Sequence, residues 1–312
     1  MTTETAPARR TIRIGDRVFS GSTVVAGCLI LLVLAAVAVF LILQSIPALV
    51  AKPGTLPNSA ENFWVYVWPL VFGTIWAAAI ALVIATPLSL GIALFISHYA
   101  PRRLAQTLGY LIDLLAAVPS VVFGLWGINA LAPFVQPFYA WLTENFGWFP
   151  LFAPPASGTG RTILTVAIVL AVMILPIMTA ICREVFLQTP RLHEEAALAL
   201  GATRWEMIRI AVLPFARAGI VSAMMLGLGR ALGETMAVAM VLSPAVVVNF
   251  FLLTSLNPNT IASNIALQFP EATGIGVNAL IASGLMLFVV TLIVNSIARL
   301  IVRRRRAFSG AN

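Results

Sequence analysis

The chain has 312 residues, of which 60% are hydrophobic and 10% charged. A soluble domain carries about 25% charged residues, so a chain this apolar cannot clothe a water-facing surface, and lipid must be the solvent for most of it. The formal net charge of +8 does not mark a nucleic-acid partner. The Lys and Arg residues sit in short segments between apolar runs and form no contiguous patch of the kind that backbone neutralisation needs.

A bilayer span takes about 20 apolar residues. In chain order the runs that qualify are 23–43, 70–97, 108–133, 162–182, 220–243 and 277–302. Residues 1–22 are expected to form a cytoplasmic tail and 303–312 a basic one, with a membrane domain over 23–302. The first run exceeds the roughly 7–15 residues of a signal-peptide core and no convincing small-residue cleavage site follows it, so it reads as a retained transmembrane helix. Pro87 lies inside the second run and predicts a kink or tilt. Pro119 and Pro176 interrupt the third and fourth, which is tolerated where neighbouring helices satisfy the freed backbone groups. Cys28 and Cys182 have no disulfide or metal-ligand spacing and read as small core residues.

Sixteen of the 19 Lys and Arg residues fall in the N-terminal tail, the second loop (Arg102, Arg103), the fourth loop (residues 183–217) and the C-terminal end. The opposite loops hold only Lys52 and Arg161. The positive-inside rule then puts both termini and the fourth loop in the cytoplasm, which requires an even number of spans. Of the outer loops, 134–160 is rich in aromatic residues suited to a membrane interface. Within 244–276, Ile261, Ile265, Ala266 and Phe269 share one helical face. That spacing fits a short amphipathic helix lying along the outer surface, or equally an ordered loop.

Asp113, Arg230 and Glu234 fall inside apolar runs. A charge at a helix centre costs about 2.5–3.5 kcal/mol on insertion scales, so each needs a reason. Arg230 and Glu234 are four apart, a spacing at which they can pair. Gly219, Ala223, Gly227 and Ala231 recur every four residues, which lets another helix approach closely and turns the charged face toward protein or a cavity. A static ion pair and an exchangeable pair in an anion path are both compatible with this pattern.

The fourth loop reads as a short helix, a glycine break and a second short helix. Thr189-Pro190 opens the first helix, and Glu194 and Glu195 sit early in it, where the dipole favours negative charge. Gly201 suits the left-handed residue that ends it. Thr203 with Glu206 forms a capping box on the second helix, which Pro214 is expected to stop. ATP hydrolysis is not expected of this chain: its one lysine, Lys52, is followed by Pro53 and cannot serve a P-loop. His193-Glu194 does not extend to a zinc-binding helix, and no Ser/His/Asp triad is indicated.

Glu195-Ala196-Ala197, three residues, Gly201, nine residues, then Ala211-Val212-Leu213-Pro214 resembles the EAA loop of bacterial ABC-importer permeases, with Ala211 where Ile or Val is usual. Residues 113–126 and 229–238 resemble the PstC family of phosphate-specific transport permeases, and the likeness runs from about Leu70 to Ile301. The resemblance implies an all-α integral membrane protein of six transmembrane helices with the type I ABC-importer permease fold, in the bacterial inner membrane. It implies a heterodimer with a second permease (PstA-like), two ATPase subunits (PstB-like) that carry ATP and Mg, and an extracytoplasmic phosphate-binding protein (PstS-like). It further implies that Arg230 and Glu234 belong to the substrate path. Glu195, Ala196, Ala197, Gly201, Leu213 and Pro214 would then belong to a loop that docks on the ATPase. A permease for another oxyanion such as sulfate or molybdate, or a non-transporting membrane scaffold in phosphate sensing, would share the loop.

Overall fold

The computed structural model describes residues 14–306; residues 1–13 and 307–312 of the expected tails lie outside the described residues. Among the described residues, six helical stretches are long and apolar enough to cross a membrane: Val18–Leu49, Phe63–Tyr99, Ser120–Phe146, Ile163–Leu187, Arg204–Leu232 and Ile275–Leu300. Helix α1 (Ile14–Leu49) begins inside the segment expected to be tail. It leaves its most apolar window wholly unburied and packs mainly along the last helix, α12 (Ile275–Arg306), as a lipid-facing helix would.

The hub is α6 (Ile163–Leu187), whose apolar window is 67% buried. Thr162 starts it by accepting a hydrogen bond from the Thr165 N–H at 3.2 Å. Helix α2 (Phe63–Leu94) packs along α6 through Ala77, Ala81 and Ala85, each at most 1% exposed. Alanines every four residues bring two backbones together, which is how helices associate where lipid removes the hydrophobic drive. The α2 helix continues through Pro69 and Pro87 and ends in a π-helical turn, Phe95–Tyr99.

The third crossing differs from expectation. The apolar run at 108–133 is divided by Pro119 into α3 (Arg102–Ala116) and α4 (Ser120–Trp126), which a π-turn joins to α5 (Ala132–Phe146). Pro cannot follow a residue in helical conformation easily, so the chain breaks at Ala117–Pro119 and the spanning segment shifts toward the C-terminus. Asp113 therefore lies on α3, outside the six spans, with an exposed side chain.

The fifth crossing is also broken. It begins in the loop with α8 (Arg204–Met207), passes a π-turn at Ile208–Val212, and continues as α9 (Leu213–Leu232). Pro214 does not stop this helix; it sits in the first turn of α9, where its missing N–H matters least. The helix ends instead at Leu232–Gly233, and α10 (Met236–Val241) restarts it. Gly124 and Gly127 open room for α10 against α4: a Cβ at Gly124 would meet the Ala237 Cα at 3.0 Å.

Helix α10 is tied at both ends. The Glu234 carboxylate accepts from the Ala237 N–H at 3.1 Å. Arg161 donates to the carbonyls of Met240, Val241 and Leu242 at 3.3, 3.2 and 2.9 Å. Beyond α10, a two-residue parallel bridge joins β1 (Pro244–Ala245) to β2 (Asn257–Pro258). Asn257 is fully buried and links Ile163, Arg161 and Ser243 by hydrogen bonds of 2.9 to 3.3 Å.

Helix α11 (Ile261–Gln268) forms where an amphipathic helix was expected, but it does not lie on the surface. Its first turn, Ile261 to Asn264, is buried. The Ile261 N–H donates to Thr74 Oγ1 at 2.9 Å and Asn264 Nδ2 to the Tyr66 hydroxyl at 2.8 Å, both on α2. The Asn259 carbonyl occupies the space a Cβ at Gly73 would need.

Two stability outcomes follow from these contacts. Gly73→Ala pushes α2 off residues 258–259 and is expected to destabilise by about 1–3 kcal/mol, read as a lower melting point in detergent. Gly91→Ala, on the same helix with open space at its Cβ, should leave the melting point unchanged or raise it. Arg161→Gln strips charged donors from three carbonyls and should lower the melting point by the loss of about 1.5–3 kcal/mol. In contrast, Glu234→Gln keeps an acceptor for Ala237 and should change it little.

Candidate functional site

A cavity of about 980 Å³ opens between α6, α9 and α12. Ile177, Ser222, Leu226, Arg230, Asn295 and Arg299 are among its lining residues, and among the described residues no carboxylate lines it. The small-residue stripe explains how Arg230 reaches it. On α9, Gly219 packs on Val185 and Gly227 on Met178, both of α6, and Ala223 and Ala231 are buried. This fixes one face of α9 against the hub and leaves the neighbouring face, with Ser222, Leu226 and Arg230, to the cavity. The Arg230 Nε is buried without a hydrogen-bond partner among the described residues. Ser222 already donates its proton to the Ala218 carbonyl at 2.9 Å, so in this rotamer it offers an anion no donor.

The expected Arg230–Glu234 pair is not formed. The break at Gly233 removes the helical geometry that would bring the two together, and Glu234, 8% exposed, turns to the N-terminus of α10. Among the described residues the one contact within 4 Å between a basic side chain or histidine and a carboxylate is His98 Nε2–Glu194 Oε1, at 3.5 Å. Arg230 and Arg299 thus contribute two positive charges to the cavity wall, with no lining carboxylate to offset them. In a medium poorer in water than bulk solvent, such a wall favours an anion over a cation. Arg299 was read from sequence only as one of the basic residues at the C-terminal end. The available signal was Asn295 four residues before it, which sets both on one face of the last helix.

The fourth loop folds as the sequence spacing predicts. Helix α7 (Arg191–Ala199) follows Pro190, and Gly201 turns at φ +84. Thr203 and Glu206 exchange both bonds of the capping box: the Thr203 N–H donates to Glu206 at 2.8 Å and the Glu206 N–H donates to Thr203 Oγ1 at 3.3 Å. Ala197 is buried with Phe186 and Cys182 of α6, Met207 of α8, Ile208 and Val212 of the turn after it, and Ala93 of α2; Leu213 packs on the same cluster. Glu195, Ala196 and Gly201 are exposed, and Pro214 is half-buried. Leu192 and Leu200 are 74% and 89% exposed on the outward side. Among the described residues, no group of three His, Cys, Asp or Glu side chains is placed to hold a metal.

Residues 85–307 match the family described as binding-protein-dependent transport system inner membrane component. A phosphate transport system permease protein PstC 2 of Mycobacterium tuberculosis is 45% identical over 307 residues, covering 95% of this chain and 93% of the relative. A PstC of Mesorhizobium japonicum is 38% identical, covering 97% and 94%. In structure, a chain of a bacterial ABC transporter that imports the acidic polysaccharide alginate superposes with a TM-score of 0.64 at 16% identity, covering 93% of this chain and 96% of that one. The latter likeness supports the fold alone. The chain belongs to the binding-protein-dependent transport system inner membrane component family, as a multi-pass permease with the six-helix fold of ABC importers.

Proposed function

We propose that this chain is the permease subunit through which an ATP-driven importer passes inorganic phosphate across the bacterial inner membrane. The observation that carries the choice of cargo is the cavity whose wall presents Arg230 and Arg299 and no carboxylate. The names of relatives at 38–45% identity over nearly the whole chain support the same cargo. The Arg230 side chain lines this cavity, and guanidinium donors suit phosphate oxygens. Glu234 serves the path indirectly: by capping α10 it holds the break open and leaves Arg230 uncompensated, so no exchange between the two is needed.

Docking to the ATPase uses the loop at Glu195, Ala196, Ala197, Gly201, Leu213 and Pro214. Its exposed Leu192 and Leu200 support this, because apolar side chains on a water-facing loop mark a partner surface. The partners are a second permease of PstA type, two PstB-type ATPase subunits that hold ATP and Mg, and a PstS-type binding protein on the far side. The basic loops set the orientation, with both termini and the docking loop in the cytoplasm.

Uptake of labelled phosphate at micromolar concentration tests this reading, in cells with no other phosphate importer. Deletion of the chain should abolish uptake. Arg230→Gln should lower uptake at least about tenfold, since a charged hydrogen bond contributes about 1.5–3 kcal/mol. Arg299→Gln should lower it by a smaller factor, and excess sulfate should not compete. Uptake that survives deletion removes phosphate as the cargo, and competition by sulfate widens the cargo to oxyanions.

A further inference from the structure

The docking helix has an inward face as well as an outward one, and its inward contact lies on α2. Glu194 sits in the first turn of α7, and its Oε1 lies 3.5 Å from His98 Nε2. His98 belongs to the π-turn Phe95–Tyr99 that ends the second span. A π-turn adds a residue to the helical register and re-aims the side chains within it. The other ring nitrogen, Nδ1, is 2.7 Å from Ser97 Oγ, and Ser97 Oγ donates to the Ala93 carbonyl at 2.8 Å. The imidazole is thereby oriented from one side by its own helix and from the other by Glu194. The side chains of His98 and Glu194 are 10% and 23% exposed, so the contact is largely shielded from water.

At its far end, the same helix grips the opposite loop. Thr74 and Tyr66 accept from the α11 segment, and Gly73 abuts the Asn259 carbonyl. Between these ends, α2 is continuous and packed on α6. A continuous helix held at both ends carries displacement along its axis, whereas α9 is interrupted at Gly233.

We propose that His98 is the positioning residue through which the docking helix α7 moves the second span, with Glu194 as its partner, so that ATPase closure reaches the α11 loop by way of α2. This rests on the importer reading above. His98 touches neither cargo nor nucleotide; it acts by keeping α7 and α2 in step.

The test uses the full complex of both permeases, the ATPase and the binding protein in proteoliposomes. It reads labelled phosphate taken up per ATP hydrolysed, basal ATP hydrolysis, and ATPase retained on the permease during purification. His98→Ala should lower the uptake-to-hydrolysis ratio about tenfold, within the 5–150-fold range of ordinary site-to-site coupling. Basal hydrolysis and ATPase retention should persist. His98→Gln, which keeps a donor near the same place, should recover part of the ratio, and His98→Glu combined with Glu194→Lys should recover more than either change alone. An unchanged ratio in His98→Ala overturns the inference. So does loss of ATPase retention, which would make the contact part of docking and not of transmission. If the unaltered complex takes up no phosphate, the cargo reading falls, and the inference is read on the stimulation of ATP hydrolysis by loaded binding protein. His98→Ala should abolish that stimulation; stimulation at the unaltered level overturns the inference.

Discussion

A helix that stops within packed protein leaves N–H and C=O groups that need other partners, and α9 stops at Gly233, where α10 restarts the chain as helix. Much of the functional end of this molecule depends on how that stop is made tolerable. Glu234 takes a donor at the start of α10, and Arg161 reaches from the loop before α6 to three carbonyls at its end. A negative charge at the N-terminus and a positive one at the C-terminus complement the helix dipole as well as the orphan groups. Gly124 and Gly127 admit the short helix against the third crossing.

That arrangement decides the electrostatics of the cavity. With a continuous helix, Arg230 and Glu234 would stand one turn apart and neutralise each other. The break redirects the carboxylate by giving it a backbone donor, and the guanidinium keeps its charge for the cavity. A charge in a poorly hydrated place costs free energy unless it is paired. On the phosphate reading proposed above, an anion entering the cavity would relieve that cost, which would be the physical basis for its affinity. Arg299, from the opposite wall on α12, adds to the same field without touching the α9–α6 packing that fixes Arg230.

Much of this was legible in the sequence. Run length and charge sidedness predicted six crossings, and the capping box at Thr203–Glu206 and the turn at Gly201 are as spacing alone implies. The small-residue stripe on α9 pointed correctly to close packing, and Val185 and Met178 are what it packs on. The errors share a cause. Hydropathy stays high across Gly233 and across Pro119, so a window average joins segments that backbone chemistry separates, and it sets Asp113 and Glu234 inside spans although Asp113 lies on α3 before the third span and Glu234 lies after the end of α9. Pro214 was misread the other way: a proline signals a stop only in a helix interior, and after a π-turn it sits in a first turn. The depth of α11 was not legible, because it depends on hydrogen bonds to Thr74 and Tyr66, nearly 200 residues away in sequence.

The division of labour among the crossings follows from where each is interrupted. Helix α6 is the buried hub and has packed neighbours on several sides, so displacing it would disturb most of the core. Helix α9 carries Arg230 but ends at Gly233, so it forms no unbroken rod from α8 to the far loop. Helix α2 packs on α6 through an alanine face and is bonded to side chains or backbone of loops at both ends. Small side chains interlock less than large ones, and a shift along the axis then costs less than a separation. An unbroken crossing with a small-residue face and bonded ends is the one suited to move as a unit, while α9, with its break, presents Arg230 to the cavity between α6 and α12.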